Sequence, residues 1–269
     1  MTTNRRGFTV VELIIVLVLG TLLVLGTLQV LVTNRRAYTI QNADLQNQQQ
    51  LRASMEVLLA ELRQVSSVGG DILTANTSEL QIRSMDDIGV VCEIVPPVLK
   101  VEPYTDKFDA GDALFVFLDV DPMTSADDEW KLWTPTLVSD ATCPGGTANA
   151  AQNLTFASSA ATAILADSVL VGAPVRDFDV HTWSTFTTGG NWFLGLDDGG
   201  GDVPVVGPLA PSGRPNPLQL SYLDENGTAT ATLTDVRQIQ IKVYTWSPVV
   251  GDDGVNVQDS LILRVNTRN

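Results

Sequence analysis

Residues 10–32 form an apolar run whose only polar side chains are Glu12, Thr21, Thr27 and Gln29, with Gly20 and Gly26 interspersed. About 20 such residues, at 1.5 Å each along a helix, cross the hydrocarbon layer of a bilayer, so this run constrains the chain more than any other feature. A secretory signal has a shorter apolar region followed by a small-residue cleavage site. Here Thr33-Asn34-Arg35-Arg36 follows, and the run reads as a retained membrane helix. Arg5 and Arg6 before it are balanced by Arg35 and Arg36 after it, so flanking charge gives little guide to orientation.

The helix does not stop at the membrane. No proline occurs in residues 1–95 and no glycine in residues 27–68, while Leu51, Met55, Leu58, Leu62 and Val65 recur at steps of four and three. That spacing is a helical stripe. It predicts one helix over residues 8–66, about 88 Å long if straight, with a membrane half (8–32) and an amphipathic half (37–66) that docks on a body. Ser66-Ser67-Val68-Gly69-Gly70 supplies the stop. Residues 41–50 are nearly all polar and read as a solvated neck.

Charge divides the chain at the same place. Residues 1–66 carry a net +2, and the remainder carries 27 acidic against 10 basic groups, a net −17. Such a body repels phosphates, which excludes nucleic-acid binding through direct electrostatics. With a single histidine, His181, and two cysteines, zinc sites built from several His and Cys are excluded as well. At 44% hydrophobic residues the chain buries a proper core and is not a disordered one.

Glu12 is the anomaly in the apolar run. A carboxylate costs roughly 2.5–3.5 kcal/mol at mid-membrane and less near the interface, so it either snorkels to the headgroups or meets a cation supplied by another chain or a new amino terminus. The residues before it are Arg5-Arg6-Gly7-Phe8-Thr9-Val10-Val11-Glu12-Leu13. This string resembles the leader junction of type IV prepilins and pseudopilins. The resemblance implies that residues 1–7 are a leader, that a prepilin peptidase cuts between Gly7 and Phe8, and that Phe8 is then N-methylated. Arg5 and Arg6 are the leader charge, and Glu12 becomes the fifth residue of the mature chain. In that family the corresponding acid is thought to meet the amino group of a neighbouring subunit during assembly. A charge that is costly alone in lipid is tolerable when paired, which favours the assembled state.

After Gly70 the pattern changes to short β-rich segments separated by Gly, Pro, Asp and Asn. Strands are predicted at residues 80–83, 90–95, 113–119, 164–171, 175–183, 218–223, 229–233, 239–246 and 260–265. A hairpin is predicted to close at Asn226-Gly227. Residues 196–217 hold five prolines and read as a long surface loop. The fold class is α+β: the long helix packed on an antiparallel, β-rich, acidic body over residues 67–269. The hairpin and final strands, with the Gln46–Arg52 and Leu59–Gln64 segments, look like the minor pilin and pseudopilin class of PilW and GspJ type.

Cys92 and Cys143 are the only cysteines. In an exported body an even count favours a disulfide, with two separate buried thiols as the alternative. The acidic strings at residues 197–202 and 251–254, and Asp119, Asp121, Asp127, Asp128 and Glu129, have calcium-type ligands without EF-hand spacing, and they read as solvated turns. The five tryptophans (130, 133, 183, 192 and 246) read mainly as core, with a sugar platform the alternative. His181 has no nucleophile motif near it. No catalytic residue, metal or cofactor is assigned.

The resemblance thus implies a non-enzymatic minor pilin near the filament tip, which primes assembly and serves adhesion or motility. Its partners would be the prepilin peptidase, other major and minor pilins, an inner-membrane assembly platform and a tip adhesin. It would move from the inner membrane, with its body in the periplasm or outside, to an extracellular pilus. Two alternatives are a type II secretion pseudopilin in a periplasmic pseudopilus and a membrane-anchored ligand-binding domain.

Overall fold

The computed structural model describes residues 9–119, 123, 129–145, 151–156 and 169–267. Helix α1 runs unbroken over Val10–Leu62. Thr9 caps it, its hydroxyl accepting from the Glu12 backbone N–H at 3.2 Å. The last α-helical bond runs from the Arg63 N–H to the Leu59 carbonyl, the chain then tightens as the Gln64 and Val65 N–H groups bond the Glu61 and Leu62 carbonyls, and Gly70 at φ +76° turns it back into the body. Residues 10–32 are exposed on every face. Within that run the Thr21 and Thr27 hydroxyls donate to the carbonyls of Val18 and Val24 at 2.9 Å, which hides their polarity. Apart from Glu12 and Gln29, the helix thus presents an apolar surface where lipid would surround it.

Its second half is buried along one stripe, Ala43, Asn47, Leu51, Ser54, Met55, Leu58 and Leu62, with Val65 continuing beyond the helix end. Burial against the body therefore begins inside the segment read as a solvated neck: Ala43 and Asn47 are already covered, while the residues between them remain exposed.

The body is antiparallel throughout the described residues. Strands β1 (Ile72–Ala75), β2 (Glu79–Val95), β3 (Val98–Pro103), β4 (Leu114–Leu118), β5 (Glu129–Trp133), β6 (Leu137–Ala141), β7 (Ala151–Thr155), β8 (Pro174–Thr188), β9 (Asn191–Asp197) and β10 (Val203–Pro211) form one sheet. Its main path is β10-β9-β8-β2-β3-β7-β6; β1 pairs with β2, and β4 joins β5 to β8. A second sheet holds β11 (Leu218–Leu223), β12 (Gln238–Val250) and β13 (Asn256–Asn266), in that order. Along β12, Ile239, Ile241, Val243 and Thr245 point inward and their alternates outward, as the two-residue period requires.

Two separate apolar cores result. The first lies between the amphipathic half of α1 and the second sheet, and takes in Leu80, Ile82, Trp183, Leu194 and Leu209 from the first sheet. The second, further out, gathers Val91, Leu99, Val101, Phe108, Leu114, Leu154 and Val175. Strands β2 and β8 pass through both, with a register break between Met85 and Ile88 where one core gives way to the other. Such a bulge bends a strand and lets it serve two lobes.

Several strand expectations need correction. Segments 80–83 and 90–95 are two ends of the single strand β2. Segment 229–233 is not a strand: Ala229 makes one isolated bridge to Leu223, and Leu233–Asp235 is a short 3₁₀ turn. The turn at Asn226-Gly227 does form, with the Gly227 N–H bonding the Asp224 carbonyl; the chain beyond it touches the end of β11 through the Leu223–Ala229 bridge and the Thr230 N–H to the Tyr222 carbonyl, and full pairing with β11 comes from β12. Of segment 164–171, residues 164–168 lie outside the described residues and 169–171 are not strand. The proline-rich loop at 196–217 contains β10, whose only strand partner among the described residues is β9. An edge strand tolerates proline because its outer side needs no donor.

Candidate functional site

Arg5, Arg6, Gly7 and Phe8 lie outside the described residues. Glu12 stands in the first turn of α1, exposed, and no ion pair involves it among the described residues. A carboxylate there is favoured by the positive end of the helix dipole, and its exposure leaves it open to an external cation.

Polar contacts then fix the body onto α1 along its length. Nearest the membrane run, the Arg36 guanidinium donates to the Gly251 carbonyl at 3.2 Å and faces the Asp252 carboxylate at 3.4 Å. Further along, the buried Asn47 amide donates to the Val257 carbonyl of β13 at 3.3 Å. Towards the helix end, Glu61 meets His181 of β8 at 3.2 Å. The chain's one histidine thus joins helix to sheet.

Beyond the helix end, Asp71 accepts from the Ser66 N–H at 2.9 Å and pairs with Arg176 at 3.3 Å, its carboxylate almost wholly buried. Arg83 donates to the Gly70 carbonyl at 2.6 Å. Both guanidiniums lie over rings: Arg176 against Phe115 and Trp130, Arg83 against Phe115 and Phe178, all within 5.3 Å of a centroid. Stacking of this kind compensates partly desolvated cations. Burial lowers the Arg83 pKa below its ordinary value, with Asp71 opposing that shift and Arg176 adding to it. No sequence pattern marked Arg83 or Arg176, because the rings they stack on come from distant strands.

Cys92 and Cys143 form a disulfide with Cα atoms 5.7 Å apart, tying β2 to the segment after β6 in the outer lobe. Of the tryptophans, Trp183 is buried in the first core. Trp130 packs on Phe117, Trp133 on Phe156 and Trp246 on Tyr244, while the Trp192 indole N–H donates to the Arg214 carbonyl at 3.0 Å. The acidic turns are built for folding back on themselves. Asp197 accepts from the Gly199 and Gly201 N–H groups, and Asp253 from that of Val255. Among the described residues no group of three or more ligating side chains is placed to hold a metal ion. Of the third acidic patch, Asp121, Asp127 and Asp128 lie outside the described residues.

A different acidic cluster gathers at the β2 bulge. Asp177 of β8 is buried and its pKa is pushed up to about 6, chiefly by desolvation, with Asp112, Asp179 and Asp87 adding to the shift and the Phe178 N–H opposing it. Asp87 is satisfied by the Thr105 hydroxyl and the Asp106 N–H.

Residues 2–28 match the family described as the prokaryotic N-terminal methylation motif. This supports a type IV pilin-like protein. The match spans the Arg5–Phe8 string and most of the apolar run, and the exposed, capped helix carries the second of these. No curated protein and no solved structure matches the chain. The pilin-like motif points to a structural subunit rather than an enzyme, and the exposed apolar helix fits a membrane-anchored pilin.

Proposed function

We propose that this chain is a minor pilin, incorporated near the tip of a type IV pilus through its amino-terminal helix. The single observation that carries the reading is the exposed apolar half of α1, headed by the methylation motif and continuous with a helix half that is rigidly packed in the body. Prepilin peptidase would cut between Gly7 and Phe8 and methylate Phe8, with Arg5 and Arg6 as the leader charge. The new amino group would then meet Glu12 of a neighbouring subunit. The acidic body would make lateral and tip contacts with other pilins, and the inner-membrane platform would drive insertion.

The test is an intact amino-terminal mass spectrum of the protein taken from sheared filaments and from membranes. A chain starting at N-methylated Phe8 in the filament fraction supports the reading. Recovery of the processed chain from membranes only would move it to a secretion pseudopilus. A chain starting at Met1 would overturn it in favour of an unprocessed, membrane-anchored binding domain.

A further inference from the structure

The long hairpin joining β12 to β13 descends beside α1 toward its membrane end. Two contacts fix its direction: Asn47 holds the Val257 carbonyl, and Arg36, eleven residues nearer the apolar run, holds the Gly251 carbonyl at the hairpin tip. The apolar run ends at Val32, so Arg36 lies four residues or about 6 Å beyond it along the helix axis. The headgroup layer on each side of a bilayer is about 5–8 Å thick. The tip therefore sits at headgroup depth when the helix spans a membrane.

The chemistry of the tip suits that position. Val250 and Val255 are 47% and 52% exposed on either side of the turn, two apolar side chains left half uncovered by the described residues. The carboxylates between them are already engaged, Asp252 with Arg36 and Asp253 with the Val255 N–H at 3.0 Å. On the helix at the same level, Tyr38 is 72% exposed and follows Arg35 and Arg36, an arrangement typical of interfacial anchors.

We infer that the β12–β13 hairpin tip is a second membrane contact: before assembly it rests in the headgroup layer of the bilayer that α1 spans and fixes the tilt of the body on the membrane. The inference depends on the membrane-anchored reading of α1 and is independent of which filament the chain joins. At this level Arg35 and Arg36 balance Asp252 and Asp253, so the contact carries no net charge and its fitting surface is a zwitterionic bilayer.

The test uses the full chain, disulfide intact, in phosphatidylcholine nanodiscs containing a headgroup spin-labelled lipid. A fluorophore is placed by Val250→Cys at the tip or, as a control, by Tyr104→Cys, an exposed site in the outer lobe. Quenching at position 250 is expected to exceed that at 104 by at least threefold. In an Arg36→Ala background, which frees the tip from the helix, it should fall by at least half. Equal quenching at the two positions, in chains that do enter the discs, would overturn the membrane contact and leave the anchor reading intact. Failure of the chain to enter discs at all would overturn both.

Discussion

At the residue scale, two carboxylates have opposite relations to their surroundings. Glu12 is exposed in the first helical turn without an ion pair among the described residues, and the cost in lipid that the helix dipole leaves is offset when an external cation meets it. Glu12→Ala should leave cleavage intact, by the mass of the mature chain, and reduce the amount of protein in sheared filaments several-fold. Normal incorporation would make Glu12 a snorkelling acid. Asp177 carries its cost internally. Its pKa of about 6 in the fold lies above the ordinary 3.8, so the fold prefers the neutral form. Stability is then full below about pH 4, falls as pH rises through about 6, and stays lower above that. Asp177→Asn, which keeps an acceptor for the Phe178 N–H, should stabilise the body at pH 7 by roughly 1–3 kcal/mol. It should also flatten the slope of unfolding free energy between pH 4 and 6. An unchanged slope in urea titrations across that range would show that Asp177 is not its source.

At the scale of elements, α1 is held by a narrow stripe. Leu58 is 1% exposed and packed in the first core, so Leu58→Ala should destabilise the body by about 2–5 kcal/mol through lost burial and the cavity left behind. Leu23→Ala, in the exposed apolar half, should leave the denaturant midpoint of the detergent-solubilised chain unchanged. The stripe was legible in the sequence because Leu51, Met55, Leu58 and Leu62 follow the helical period. Less legible was where docking begins. Ala43 and Asn47 sit in a polar stretch, and only the arrival of β13 against that face covers them. Strand β10 was hidden for a related reason: five prolines between 196 and 217 argue against a strand unless its place at an edge is known. The merging of segments 80–83 and 90–95 into β2 had no local signal either. Residues 84–89 read Ser-Met-Asp-Asp-Ile-Gly, where two adjacent aspartates and a glycine interrupt the strand pattern, and β8 pairs with much of that stretch.

At the scale of the whole molecule, the two cores make the disulfide a property of one lobe. Cys92 and Cys143 are 51 residues apart and lie with the outer core, away from the helix. A loop of that length is worth about 4 kcal/mol in the chain-entropy account. Cys92→Ser with Cys143→Ser should raise hydrogen exchange in β3, β6 and β7 by up to about three orders of magnitude, the equivalent of that free energy, while β11–β13 and residues 51–62 keep their protection. Uniform loss across both lobes would show that β2 and β8 couple them into one cooperative unit.

The sequence by itself determined the parts whose physics is local. These are the length and apolar character of the membrane run, the helical period that carries α1 into the body, the acid in its first turn, the motif around it, and the alternation that makes β12 a one-faced strand. Even the disulfide was favoured, from an even cysteine count in an exported body. The tertiary structure decided what depends on residues far apart in the chain. Arg36 meets a turn 215 positions away and Glu61 a histidine 120 positions away, while Arg83 and Arg176 find their rings on other strands. Periodicity reports which face of an element is apolar. It cannot report which partner arrives at that face, because that is settled only when strand pairing closes the long loops between them.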